Sequence, residues 1–87
     1  EWQASQMLYH AYILRSAVDR AFYKGSCEDL HQRLADHNAG RVRSTKSRRP
    51  WSLWYSEEFA TRTEAIQRER FFKSRSGYRW LKERGII

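Results

Sequence analysis

Apolar positions fall into two kinds of pattern along this chain. From Met7 to Leu14 the run MLYHAYIL is broken only by His10, which predicts a central strand covered on both faces. The cluster SAVDRA predicts a turn, and FYKG after it a return strand, so the first two strands form an antiparallel hairpin with a loop longer than the tightest type. Ser26, with Asp29 three residues on, marks a helix start, and Gly40 marks its stop, giving a first helix from Glu28 to Asn38. WSLWYSEEF predicts a third strand with Trp51, Leu53 and Tyr55 on one side. Thr61 and Glu64 fit a capping box, opening a second helix that runs to Lys73 or Ser74. After Gly77 the piece YRWLKER predicts a last short helix whose Trp80 and Leu81 pack back on the body. The expected architecture is one α+β domain over residues 1–87, in the order β-β-α-β-α-α.

Polar residues interrupt the apolar faces of both longer helices. Each helical residue turns by about 100°. This sets Leu30, Leu34 and Cys27 together, with His37 and Arg33 sharing one edge of their stripe. On the second helix Glu69 falls between Ala65 and Ile66, with Phe72 nearby. A chain of this length buries only about 60–65% of its unfolded surface, so inward polar groups are costly. The bland alternatives are an ion pair of Glu69 with Arg33, a satisfied core histidine or helix-end residue at His37, and simple packing for Tyr12 and Tyr23.

Charge narrows the partners. Lys and Arg number 17 against 10 Asp and Glu, a net charge of +7, which favours an anionic partner and most simply nucleic acid. Most of the cations are Arg, whose planar fork matches a phosphate. Residues 41–49, RVRSTKSRR, hold Arg41, Arg43, Lys46, Arg48 and Arg49 with no acid, a basic loop that Pro50 closes by denying Arg49 a helical conformation. Cys27 is the single cysteine, excluding an intrachain disulfide or a Cys-rich zinc site and suggesting a reducing cytoplasm. Neither a membrane span nor a targeting signal is expected from the sequence, EWQASQMLYHAYILRS included.

Two strand tyrosines, an Arg and a His one turn apart, and a lone inward Glu are parts for phosphodiester hydrolysis with one hard cation. Magnesium takes one or two protein carboxylates and fills its shell with water and substrate oxygens. Arg33 would hold the scissile phosphate and stabilise its developing charge, while a tyrosine or histidine takes the proton of the attacking water.

These residues lie in words that resemble the GIY-YIG endonuclease domain, in particular small stand-alone bacterial proteins related to the nuclease domain of the bacterial excision-repair endonuclease. HAYIL carries the first signature as His10-Ala11-Tyr12 and YKG the second as Tyr23-Lys24-Gly25; DLHQRLADHNAGRVRSTK, RRPW and EEFATRTEAIQRE are similar to the same group. The resemblance implies a three-stranded antiparallel sheet flanked by helices. It also implies Tyr12 as general base or water activator, Tyr23 as a hydrogen-bonding partner of nucleophile or phosphate, and Arg33 as clamp. Glu69 would be the metal ligand for magnesium or manganese, and His37 would assist proton transfer. DNA cleavage of low sequence specificity or directed by structure, in repair or recombination, is the implied activity, with the basic loop along the backbone and another protein as a route to targeting. His10-Ala11 stands in place of Gly-Ile and Lys24 in place of Ile, while SRSGYRW offers no Asn where many members carry one. The alternative is a DNA- or RNA-binding module that keeps the fold without catalysis.

Overall fold

A computed structural model describes residues 8–87. The expected first-strand start at Met7 and the stretch before it lie outside them. Strands β1 (Tyr9–Ser16), β2 (Phe22–Cys27) and β3 (Trp51–Phe59) form an antiparallel sheet in the order β2-β1-β3. Helices α1 (Leu30–Asn38), α2 (Arg62–Lys73) and α3 (Arg75–Glu83) complete the expected order. Among the described residues no helix is long and apolar enough to cross a membrane.

The apolar run of β1 becomes the middle of the protein because strand residues alternate between faces and both faces are covered. Ala11 and Ile13 join Phe72 of α2 and Leu81 of α3 in one fully buried cluster. Tyr12 and Leu14 join Trp51 in a second, against which Leu30 and Leu34 of α1 pack. Sealing each large aliphatic side chain contributes about 1.5–3 kcal/mol, so the central strand is a main source of stability.

Strand β3 departs from the simple alternation its sequence predicts. Ile13 pairs with Tyr55 and Leu14 with Leu53, which leaves Trp54 as an extra, bulged residue. Trp51 therefore joins the Tyr12 side while Tyr55 packs on the Ala11 side, so the expected common face of Trp51, Leu53 and Tyr55 is split. Leu53 stays 42% exposed.

The first helix begins later than its sequence suggests. Its N-cap is Asp29, whose side chain accepts a hydrogen bond from the Gln32 amide at 3.0 Å, while Ser26 still belongs to β2. Gly40, at φ 82°, ends the helix as expected. Its last residue, Asn38, then ties two distant segments: its carboxamide accepts from the Trp51 amide at 2.6 Å and donates to the Trp51 carbonyl at 2.9 Å. The basic loop is thereby closed against the body, with a short 3-10 turn at Lys46–Arg48 and an extended Arg49 before Pro50. Ser16 adds a second tie, its hydroxyl donating to the Arg48 carbonyl at 2.6 Å.

Both halves of the Thr61–Glu64 capping box form at the start of α2. Gly77, which reads as a break before the last helix, lies inside α3. Ser74 ends α2 and caps α3, accepting from the Gly77 amide at 3.0 Å and donating to the Phe71 carbonyl at 2.6 Å. A Cβ on Gly77 would stand 1.6 Å from the Phe71 carbonyl oxygen, so this elbow closes only around a residue with no side chain. Gly77→Ala is expected to cost about 3 kcal/mol through overpacking, read as a lowered urea midpoint; an unchanged midpoint would refute the tight elbow.

Candidate active site

Tyr12 projects from the centre of β1 across the neighbouring edge strand. It pairs with Gly25, and a Cβ there would lie 2.6 Å from the Tyr12 hydroxyl, so the glycine of the second signature is the space the phenol occupies. Tyr12 is 1% exposed, and a hydroxyl so enclosed needs partners. His37, fully buried on α1, supplies one: its Nε2 lies 3.1 Å from the hydroxyl. Its Nδ1 lies 2.8 Å from the Thr45 hydroxyl, which in turn donates to the Val42 carbonyl at 3.3 Å.

Donor counting assigns the tautomer. Thr45 has one hydroxyl proton and gives it to Val42, so it accepts from His37 Nδ1–H. Nε2 is then unprotonated and accepts from Tyr12. Burial, with the Arg33 charge next in weight, lowers the His37 pKa below its ordinary value against the opposing pull of Asp36, which keeps this acceptor neutral. Burial also pushes the Tyr12 hydroxyl up to about 12, against a hydrogen-bonding contribution from the Arg33 guanidinium. That same contact raises the Arg33 pKa. Tyr12 is thus a protonated phenol at neutral pH, hydrogen-bonded to a neutral imidazole and acted on by the Arg33 charge.

Tyr23 completes this side. Its half-buried ring lies 4.8 Å from His37, 6.3 Å from Tyr12 and 6.2 Å from Trp51, centroid to centroid. Tyr12, Tyr23, Arg33 and His37 are therefore brought together on the α1 face of the sheet.

Glu69 is not among them. Ser26 pairs with Ala11 and so faces α2, and its hydroxyl donates to Glu69 Oε1 at 2.6 Å. Lys73 Nζ lies 2.6 Å from Glu69 Oε2, so the carboxylate's partner is the lysine one turn on and not Arg33. With 21% of its side chain exposed, Glu69 sits beside the outer strand, held by the residue after the Gly25 that Tyr12 covers, but on the opposite face. Glu69 and the tyrosines thus lie on opposite sides of β2, an outer strand of the sheet.

The basic loop is less uniform than its sequence. Arg41 pairs with Asp36 at 2.9 Å and Arg48 with Asp19 at 3.3 Å, while Arg49 Nε donates to the Lys46 carbonyl at 2.8 Å. Arg43 and Lys46 are exposed and, among the described residues, carry no ion pair. Two contributors were hidden in the sequence. Thr45 sits inside the cationic run with nothing to mark it as buried, and Ser26 resembles a helix cap. The one signal for Ser26 was strand alternation carried past Gly25.

Tyr12 and Tyr23, from the two short tyrosine words, gather here with Arg33 and His37 of α1. A model of the GIY-YIG catalytic domain matches residues 8–82. The chain is 43% identical over 67 residues to a UPF0213 protein of Bacillus pumilus, covering 76% of this chain and 67% of that one. It is 40% identical over 65 residues to UPF0213 protein YazA of Bacillus subtilis, covering 66% of that protein, so it spans about two thirds of these relatives. A UPF0213 protein of Staphylococcus haemolyticus is 37% identical over 75 residues, covering 85% of this chain and 90% of that protein. The solution NMR structure of the UPF0213 protein BH0048 from Bacillus halodurans superposes with a TM-score of 0.53 at 29% identity, covering 88% and 84% of the two chains. With Tyr12 laid over Gly25 on a sheet of this order, the chain belongs to the GIY-YIG catalytic domain family, a family of nucleases.

Proposed function

We propose that the protein is a divalent-metal-dependent endonuclease that hydrolyses DNA with low sequence preference or by structure. The observation that carries this reading is the Tyr12 phenol, hydrogen-bonded to the buried His37 imidazole and influenced by the Arg33 charge, one residue from the point where Glu69 meets the same edge strand. A backbone along the β2 edge could touch both faces.

Glu69 fits a single hard cation. Among the described residues no group of three or more His, Cys, Asp or Glu converges. Magnesium does not require one, since water and phosphate oxygens fill most of its shell. Ser26 donates to one oxygen of Glu69 and Lys73 to the other, so Glu69 would hold a cation only where Lys73 gave way to it or shared the carboxylate. A bound cation would neutralise charge on the phosphate. Arg33 would clamp a non-bridging oxygen and stabilise the charge that builds there. Water attacks phosphorus as the leaving P–O bond breaks. The water proton passes to the Tyr12 oxygen as the Tyr12 proton moves to His37 Nε2, and the leaving oxygen takes a proton from solvent. Tyr23, the more accessible phenol, would hydrogen-bond the attacking water or the phosphate. Arg43 and Lys46 supply backbone attraction that Arg41 and Arg48 spend partly on acids.

The Glu69–Lys73 pair also suits a binding module without catalysis, because it leaves the carboxylate already satisfied. Plasmid, branched DNA and RNA incubated with magnesium or manganese separate the two readings. Cleavage is expected for the parent protein, falling at least about 100-fold in Glu69→Gln and in Arg33→Ala. Cutting that survives both substitutions would reject this site, and binding without cutting would favour the module. Replacing Arg43 and Lys46 together with Ala is expected to weaken binding to all sequences alike and to reduce the salt slope of affinity by about 0.9 per lost phosphate contact. An unchanged slope would remove the loop from the interface.

The His37 shift gives a pH dependence with a fixed sign. Its folded pKa is depressed, so the unfolded state binds its proton first as pH falls below about 6.5, and stability declines toward the folded value. Asp19 and Asp36, held below the usual carboxylate range, contribute only at lower pH. Thermal midpoints should drop as pH falls below about 6.5 in the parent and change less in His37→Gln. Cleavage should hold below the ordinary histidine value and fall only at the more acid pH where folded His37 takes its proton, because protonated Nε2 cannot accept from Tyr12. Identical profiles for both proteins would show that His37 is not the group responsible.

A further inference from the structure

Among the exposed large hydrophobic residues described, the most open aromatic ring is on the last helix. Tyr78, on α3, is 52% exposed and belongs to neither buried cluster. Lys24 Nζ lies 6.0 Å from its ring centroid and Lys82 Nζ 5.9 Å. Lys24 comes from the edge strand and Lys82 from the next turn of α3, so two elements converge their cations on one ring. Lys73 joins them, close enough that its charge adds to burial in lowering the Lys24 pKa. Among the described residues neither Lys24 nor Lys82 has a carboxylate partner; the nearby acid, Glu69, is taken by Lys73 at 2.6 Å. Each ammonium is attracted to the ring, but the ammoniums repel one another, and a bound anion would relieve that repulsion.

The other exposed large apolar residues do not have this form. Trp54, 44% exposed, packs against the Phe22 ring at 5.9 Å between centroids and gives its indole N–H to the Ile86 carbonyl, so it is tied to the body at both ends. Val18 and Leu53 have no ring.

Position then selects the ligand. Lys24 pairs with Ile13 and Ser26 with Ala11, so both face α2 and Glu69, and the patch begins beside the proposed metal carboxylate. We propose that Tyr78 is a stacking platform for an unpaired nucleobase of the bound strand, with Lys24, Lys73 and Lys82 holding the phosphates that flank it. A base inside a duplex has both faces covered by its neighbours, so the ring takes one that is single-stranded, and a flat ring accepts any base. The subsite makes branched or frayed DNA the preferred substrate of the cleavage proposed above, and it rests on that reading only for the consequence, since binding itself requires no metal.

The test uses fluorescence anisotropy in EDTA with two labelled single strands of equal length, oligo(dT) and an abasic strand carrying the same phosphates. Tyr78→Ala should weaken oligo(dT) binding by about 10-fold and leave the abasic strand unchanged, while Tyr78→Phe should bind both as the parent does. The double variant Lys24→Gln, Lys82→Gln should weaken both strands. Equal losses for the two strands in Tyr78→Ala would reduce the patch to a phosphate contact and overturn the stacking role, as would no loss at all. Chemistry plays no part in this readout, so a protein that fails to cut would still pass or fail here independently.

Discussion

A phenol hydroxyl enclosed at the centre of a small sheet has to be hydrogen-bonded, because an unsatisfied buried hydroxyl costs a large share of the stability such a domain can have. Tyr12 meets that constraint through a chain of groups, and much of the local structure follows from the chain. Gly25 must lack a side chain so that the ring can cross the edge strand. His37 must face inward from α1 as a neutral acceptor. Thr45 must be drawn into the interior to receive the other ring N–H, and with it the loop that joins α1 to β3. The indole of Trp51 donates to the Thr45 carbonyl at 2.9 Å, and Asn38 holds the Trp51 backbone, so the loop is fastened on either side of the histidine. Cationic residues of that loop are thereby carried on a segment whose position depends on Tyr12.

How far the sequence disclosed this depends on whether each feature is local. Caps, turns and the double-faced apolar strand are local, and Thr61, Gly40 and the MLYHAYIL run forecast their elements correctly from β1 residue Tyr9 onward. The inward placement of Arg33, His37 and Glu69 follows from helical periodicity alone. What stayed hidden is pairwise. The Trp54 bulge exists only in the register with Ile13 and Leu14, so WSLWYSEEF read alone gives a false common face. Ser26 has the spacing of a helix cap, but pairing with Ala11 keeps it in the strand and hands the cap to Asp29. Gly77 looks like a break because its spacing to Phe71 across the elbow cannot be seen in one dimension. Thr45 is a polar residue within a basic run, and its burial comes from a histidine eight residues earlier.

The placement of Glu69 sharpens what kind of site this is. A strand alternates its side chains, so consecutive residues of β2 serve opposite faces: Gly25 makes room for Tyr12 on one, and Ser26 orients Glu69 on the other. Because β2 is the outer strand, only its open edge is common to both sets. A compact substrate buried on either face would meet half of the chemistry. An extended polyanion lying along the edge would meet all of it, with Arg33 on one flank and Glu69, Lys73 and Lys24 on the other. The constraint is physical and independent of family membership: if Glu69 and the two tyrosines act on one substrate, their placement on opposite sides of a single β-strand requires a substrate long enough to pass along that strand.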